Sequence, residues 1–243
     1  MMVEQGETPG QPGREPVFLL PISVTALAGV MAAIHLASTF VLNQQGYNDF
    51  ILWFAFLPLR IVVAGSDLAA AVPLIWTPFS HALIHGGWDH LLVNVAWLAI
   101  FATPVARRYG AGPMLAIFFV SAAAGAAFFA ATTLYSGAYL IGASGGVSGL
   151  TGAAVRFIFQ PVIVAQHPET GERMVMGRHL AGFGDLMRDA RARTFIIIWV
   201  VLNAAVPVLP LLTGTAIGVA WQAHLGGFFA GILLVGLFER KGR

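Results

Sequence analysis

The sequence predicts an all-α polytopic membrane protein, a bundle of six transmembrane helices with both termini in the cytoplasm. Three observations carry this expectation. Of 243 residues, 58% are hydrophobic and only 10% are charged, whereas soluble domains carry about 25% charged residues. Two stretches contain no Asp, Glu, Lys or Arg at all: 47 residues between Arg108 and Arg156, and 45 between Arg193 and Glu239. At about 20 residues per crossing, each holds two helices. The basic residues, finally, segregate to one side of the resulting bundle.

Residues 1–16, rich in Gly, Pro, Glu and Gln, read as a disordered cytoplasmic tail. Val17 to Leu42 supplies the first span; it exceeds a signal-peptide core and lacks a small-residue cleavage pattern, so it reads as an uncleaved anchor. The next apolar segment, "FILWFAFLPLRIVVAGS" from Phe50 to Ser66, carries Pro58 and Arg60 at its centre. A central arginine costs about 2.5 to 3.5 kcal/mol on insertion scales. The segment is therefore expected in the interface, inside a long outer loop over residues 43–89.

Leu91 to Ala106 is the second span, and the run between Arg108 and Arg156 gives the third and fourth. A cytoplasmic loop over 160–193 follows, then a fifth helix from Thr194 to Leu212 and a sixth ending before Glu239. The membrane domain thus covers 17–238, with 239–243 as a short cytoplasmic tail. In this order Arg14, Arg107, Arg108, the six arginines from Arg156 to Arg193 and the three basic residues after Glu239 share one face, 12 of 13 in all. Only Arg60 lies opposite, so the positive-inside rule makes that face cytoplasmic.

The net charge of +2 reports orientation and implies no nucleic-acid partner, because no basic and aromatic interleaving accompanies it. Cysteine is absent. Disulfides, iron-sulfur clusters and thiol catalysis are excluded with it.

In the expected topology the second, fourth and sixth helices all begin in the outer leaflet, and each begins with polar residues. "HGGWDHLLVN" carries His85, His90 and Asn94; "IGASGGVSGLTGA" carries Ser144 and Ser148; "WQAHLGG" carries His224. Taken singly, each has a structural reading. A membrane serine back-bonds to its own helix, a histidine bridges backbones, and the pairs Gly145 with Gly149 and Gly227 with Gly231 mark close helix packing. Arriving together at one depth, such costly groups favour a site.

The readings are compatible. If the glycine pairs bring the fourth and sixth helices together, Ser144 and His224 come within hydrogen-bond reach. Ser144 at a helix N-terminus would have free N–H groups nearby for the oxyanion of acyl transfer, with His224 as general base. No Asp or Glu lies in the expected spans, so the pattern argues for a Ser-His dyad. His90 and Asn94, at i and i+4, share a helix face and could donate to the oxyanion or act as interhelical glue.

These three motifs, "HGGWDHLLVN" (His85 to Asn94), "GASGGVSGLTGA" (Gly142 to Ala153) and "AHLGGFFAG" (Ala223 to Gly231), resemble those of the rhomboid intramembrane serine proteases in order and spacing, over roughly Trp76 to Phe238. The resemblance implies Ser144 as nucleophile and His224 as base. It implies that His90, Asn94 and the Ser144 N–H hold the oxyanion, while Gly142, Gly145, Ser148, Gly227 and Gly231 are expected to support the site. No cofactor or metal is implied.

It further implies that the partners are single-span or polytopic membrane proteins within the lipid bilayer, cut in or near a transmembrane helix that must locally unwind. The fifth helix, with Pro207 and Pro210 near its outer end, would line lateral access. Arginine-dominated basicity with abundant Ala and Gly hints at a GC-rich bacterial genome, and a bacterial inner membrane is the default setting rather than a deduction.

Three positions depart from the family pattern. Ser148 stands four residues after the nucleophile, where an aromatic usually packs on the catalytic histidine; Thr77 replaces an arginine after Trp76; Ala106 replaces a glutamate. Ser148 leaves the support of His224 open, and a phenylalanine there is expected to be tolerated. The alternative function is a catalytically weak or silent rhomboid-like protein that binds membrane clients.

Two further readings lack their marks. His81 and His85 stand at i and i+4, but "HALIH" lacks the Glu of a zinc hydrolase helix, and a transporter would show repeats or a buried carboxylate. The cytoplasmic loop is read first as an ordered linker whose arginines set topology; within it "VIVAQHPETGERMVM" could form a short hairpin and "GDLMRDARAR" one amphipathic helix on anionic lipid.

Overall fold

The structure is a computed structural model that describes residues 20–168, 171, 173–208 and 218–239. It is an integral membrane protein and mostly helical. Helix α1 spans Ile22–Phe40, α6 spans Trp88–Tyr109, α7 spans Ala111–Thr133, α8 spans Ser144–Ile158, α10 spans Ala190–Ala205 and α11 spans Trp221–Leu234. Between α1 and α6 the chain folds into α2 (Gln44–Phe54), α3 (Leu59–Val63), α4 (Leu68–Ala71) and α5 (Thr77–Ser80), with short 3₁₀ turns. The expected tail over 1–16 and Lys241 at the far end lie outside the described residues, as do Pro210 and Leu212.

Five segments among the described residues have the length and hydropathy of a membrane span: Ile22–Phe40, Trp88–Tyr109, Ala111–Thr133, Ala190–Val208 and Trp221–Phe238. The expected fourth span, α8, has only 15 residues and so is about 22 Å long at 1.5 Å per residue. Every residue from Gly145 to Phe157 is buried. A helix sheathed in protein need not match the hydrocarbon thickness, which explains how so short a helix occupies the centre.

Local chemistry sets the boundaries. Helix α6 carries Asp89 in its first turn and Arg107 and Arg108 in its last, each sign matched to the helix dipole. Gly110, at φ 88°, then lets the chain reverse directly into α7. The apolar segment from Phe50 to Ser66 does not form one helix. It breaks at Ala55, whose backbone is extended, and resumes after Pro58 with the five residues of α3.

The segment between α8 and α10 corrects two expectations. Asp189 accepts hydrogen bonds from the Arg191 and Ala192 N–H groups at 2.9 and 3.0 Å, an N-cap that starts α10 at Ala190 rather than Thr194. The same cap divides "GDLMRDARAR", so one amphipathic helix is replaced by the short α9 (Phe183–Arg188) and the first turn of α10. The loop expected to reach 193 therefore ends at Asp189. Before it, β1 (Val162–Gln166) and β2 (Arg173–Arg178) pair antiparallel, Val162 with Arg178 and Gln166 with Arg173.

Helix α8 is the axis of the bundle, packed on α6, α7 and α11. Its glycine face sets the approach: a Cβ on Gly152 would collide with the Phe228 carbonyl, and one on Gly146 would stand 2.6 Å from the Phe118 ring. Leu98, Ala102, Met114, Phe118 and Leu150 fill the core between these helices. In the last turn of α8 Arg156 is buried; its Nε and Nη2 donate to the Ala181 carbonyl at 2.9 and 2.7 Å and its Nη1 to that of Ile232 at 3.2 Å. One side chain thus fixes the end of α8 to both α11 and the loop before α9.

Candidate functional site

The chain enters α8 along the loop that joins α1 to α6. Phe56 and Leu140 exchange both backbone hydrogen bonds, at 3.1 and 2.8 Å. The Gly142 N–H then donates to the His81 carbonyl at 3.0 Å, and the Ala143 N–H to His85 Nε2 at 3.4 Å. Gly142 has φ +117°, and a Cβ there would stand 2.7 Å from His90 Cε1 and Nε2. Glycine is needed twice over, for the backbone angle and for the imidazole lying against it.

The histidines that could have suggested a metal are engaged in this loop. His81 Nδ1 bonds the Thr77 carbonyl at 2.9 Å. Burial pushes the His81 pKa down to about 4. Burial, with His90 and His35 nearby, does the same for His85, also to about 4.

Beyond that wall a cavity of about 820 Å³ is lined by His90, Asn94, Ser144, Ser148, Asn203 and His224. The three motifs therefore meet there through these residues, while His85 stays in the wall. Ser144 is the first residue of α8, and the first N–H of that helix with an intrahelical partner is that of Val147, bonded to the Ala143 carbonyl at 2.9 Å. The N–H groups of Ser144, Gly145 and Gly146 precede it at the positive end of the helix. Asn94 is buried and donates one amide N–H to the His90 carbonyl at 2.8 Å, which leaves its second N–H.

Glycine packing brings α8 and α11 together. A Cβ on Gly227 would collide with the Gly145 carbonyl, and one on Gly231 with the Gly149 carbonyl. Ser144 and His224 are each half-buried at the rim of this contact. They share the cavity, but no hydrogen bond joins them among the described residues. Catalytic hydrogen bonds commonly close only when substrate is bound.

Instead, His224 Nδ1 bonds Asn203 Oδ1 at 2.7 Å. The Asn203 amide in turn donates from Nδ2 to the Trp199 carbonyl at 2.8 Å, and one turn deeper Trp199 stacks on Phe228 with centroids 4.1 Å apart and planes at 14°. Sequence reasoning looked for a carboxylate beside His224 and so passed over Asn203. The available signal was a lone amide in an otherwise apolar span, an expensive placement that favours a function. Ser148 is buried on the cavity wall at 7% exposure, and among the described residues no aromatic ring packs on His224.

A second, smaller cavity of about 250 Å³ is lined by residues including His35, Ser38, Tyr47 and His85. His35 Nε2 and His85 Nδ1 are buried and unpartnered among the described residues. A space this polar is suited to ordered water, and Gly86 lines both cavities.

A family model described as the Rhomboid domain matches residues 73–241. Rhomboid protease GlpG of Pectobacterium atrosepticum is 28% identical over 198 residues, a match covering 81% of this chain and 57% of that protein. The chain thus spans little more than half the length of that relative. Since the family model takes in helices α6 to α11 and all six cavity residues named above, the chain belongs to the rhomboid family.

Proposed function

We propose that the protein is an intramembrane serine endopeptidase that hydrolyses a peptide bond in or near a transmembrane helix of another membrane protein. The observation that carries this reading is the meeting of Ser144, at the start of a buried helix, with His224, His90 and Asn94 in one cavity. In this mechanism Ser144 Oγ attacks the scissile carbonyl as His224 takes its proton. The tetrahedral oxyanion is held by the Ser144 N–H, His90 and the second N–H of Asn94. Collapse expels the amine, which takes the proton back from His224. Water, deprotonated by His224, then cleaves the acyl-enzyme and restores the serine. No cofactor or metal takes part.

Two features favour a substrate arriving sideways through the bilayer. Only 6% of the residues in the apolar window of Ala190–Val208 are buried, against 50% for Ala111–Thr133, so α10 is the wall that can yield at least cost. The smaller cavity beside His85 offers water a path from the loop side. The bacterial relative suggests a bacterial inner membrane, and the charge-free runs with their one-sided arginines support six spans, α8 included, and cytoplasmic termini. Single-span and polytopic membrane proteins are the substrate class.

The second reading, a silent rhomboid-like protein that binds membrane clients, is favoured by Ser148 and by the unmade Ser144–His224 bond. The experiment that separates them is cleavage of a generic single-span substrate in reconstituted membranes, wild type beside Ser144→Ala, with a chelator control. Cleavage lost only in the mutant supports the protease. Cleavage equal in both, or none across a panel of substrates with folded protein, overturns it.

A further inference from the structure

We infer that Asn203 is a positioning residue for His224, supplying from α10 the support that the family pattern places four residues after the nucleophile. The inference rests on the protease reading for its chemistry, though the hydrogen bond behind it does not.

The hydrogen bonds fix the proton. A backbone carbonyl only accepts, so the Asn203 group facing the Trp199 carbonyl at 2.8 Å is the amide nitrogen, and the group facing His224 at 2.7 Å is the amide oxygen. An amide oxygen only accepts. His224 Nδ1 must therefore carry the proton, which leaves Nε2 with its lone pair as the basic nitrogen. That is the tautomer a general base needs, and the one an aspartate enforces in a Ser-His-Asp triad. When His224 takes the serine proton, the Nδ1–H bond to Asn203 becomes charge-assisted and strengthens. The amide does this without the cost of a carboxylate at membrane depth.

The placement of the pair adds a second consequence. Trp199 and Asn203 are one turn apart on α10, and Phe228 and His224 one turn apart on α11. The two antiparallel helices meet as two rungs, a ring stack and a hydrogen bond. Because α10 is otherwise the most exposed long helix, its distance from α11 sets whether the base is oriented. Ser148, whose side chain is too short to brace an imidazole, is compensated from a different helix.

The test compares Asn203→Leu and Asn203→Asp in reconstituted membranes, with cleavage kinetics and the ¹⁵N spectrum of the His224 imidazole. Asn203→Leu removes the acceptor at little cost to an apolar helix, and Asn203→Asp keeps it. The wild type should show the Nδ1–H tautomer, and the Leu variant should lose that bias. In Asn203→Leu kcat should fall by about 10- to 1000-fold with KM nearly unchanged, within the roughly 10⁴-fold limit set by reversing the tautomer in a full triad. Asn203→Asp should hold the tautomer and retain far more of kcat than the Leu variant.

An Nε2–H tautomer in the wild type, an unchanged tautomer in Asn203→Leu, wild-type kcat in that variant, or an Asp variant as impaired as Leu would each overturn the inference. Absence of Ser144-dependent cleavage in the wild type would instead sink the protease reading, and the imidazole spectrum would still decide the positioning.

Discussion

Gly231 faces the Gly149 carbonyl so closely that the smallest side chain would overlap it, and what it would strike is backbone. Gly227 stands in the same relation to Gly145. Backbone in a packed helix cannot swing aside, so Gly231→Val should destabilise the protein by about 1 to 3 kcal/mol or more and abolish cleavage. Gly29, with no atom within 4 Å of its would-be Cβ, is the control. Thermal denaturation in detergent should show a lowered midpoint for Gly231→Val and none for Gly29→Ala.

Ser144→Ala and His224→Ala should each reduce cleavage to background, and the double substitution should be no worse than either. Members of one catalytic unit do not contribute additively. Rates measured for all three variants check this, and residual turnover in Ser144→Ala would remove the serine from the mechanism.

Asn94→Ala should lower kcat by about 100- to 1000-fold, the usual loss for one oxyanion donor, while leaving stability close to wild type. Asn94 hydrogen-bonds only a carbonyl of its own helix among the described residues, so little packing depends on it. Steady-state kinetics beside a melting curve separate the two effects.

Arg156→Met should be a stability defect. It would leave the buried Ala181 and Ile232 carbonyls short of a partner, a loss of about 1 to 3 kcal/mol for each unsatisfied group. Arg156→Lys should not restore the melting temperature, because a single ammonium lacks the planar fork that reaches both carbonyls.

Burial holds His81 and His85 neutral, with pKa values near 4 against an ordinary 6.5. The folded state thus binds fewer protons than the unfolded chain between those values. The stability these groups contribute is fully present above pH 6.5 and is lost as pH falls toward 4. Melting temperature should drop across that window, and less steeply in His81→Gln.

Much of the site is legible in the sequence because it rests on residue types that have few other uses at membrane depth. The glycine pairs of "GASGGVSG" and "HLGGFFAG" announce a close helix contact, and the histidines beside "WDHLLVN" announce a polar wall. Asn203 is conspicuous in the sequence as a lone amide, but its role is not legible there, since it depends on how α10 is rotated against α11, and no periodicity in the apolar stretch around it encodes that rotation. The start of α10 was hidden for a related reason. Asp189 reads as one more charge in an arginine-rich loop until its carboxylate is seen capping two N–H groups. The shortness of α8 was also invisible, because a charge-free run sets only the longest helix it could hold.

The loop that pins the approach to Ser144, through Phe56 with Leu140, His81 with Gly142 and His85 with Ala143, precedes α8 in the chain, whereas His224 follows it by 80 positions. Synthesis runs in that order. The residues that shape the approach to Ser144 are made before that serine emerges, and His224 arrives only with α11. A nascent chain stopped short of α11 would hold Ser144 in its shaped approach without His224, so the proposed cutting activity would have to wait until α11 is made and the two glycine contacts close.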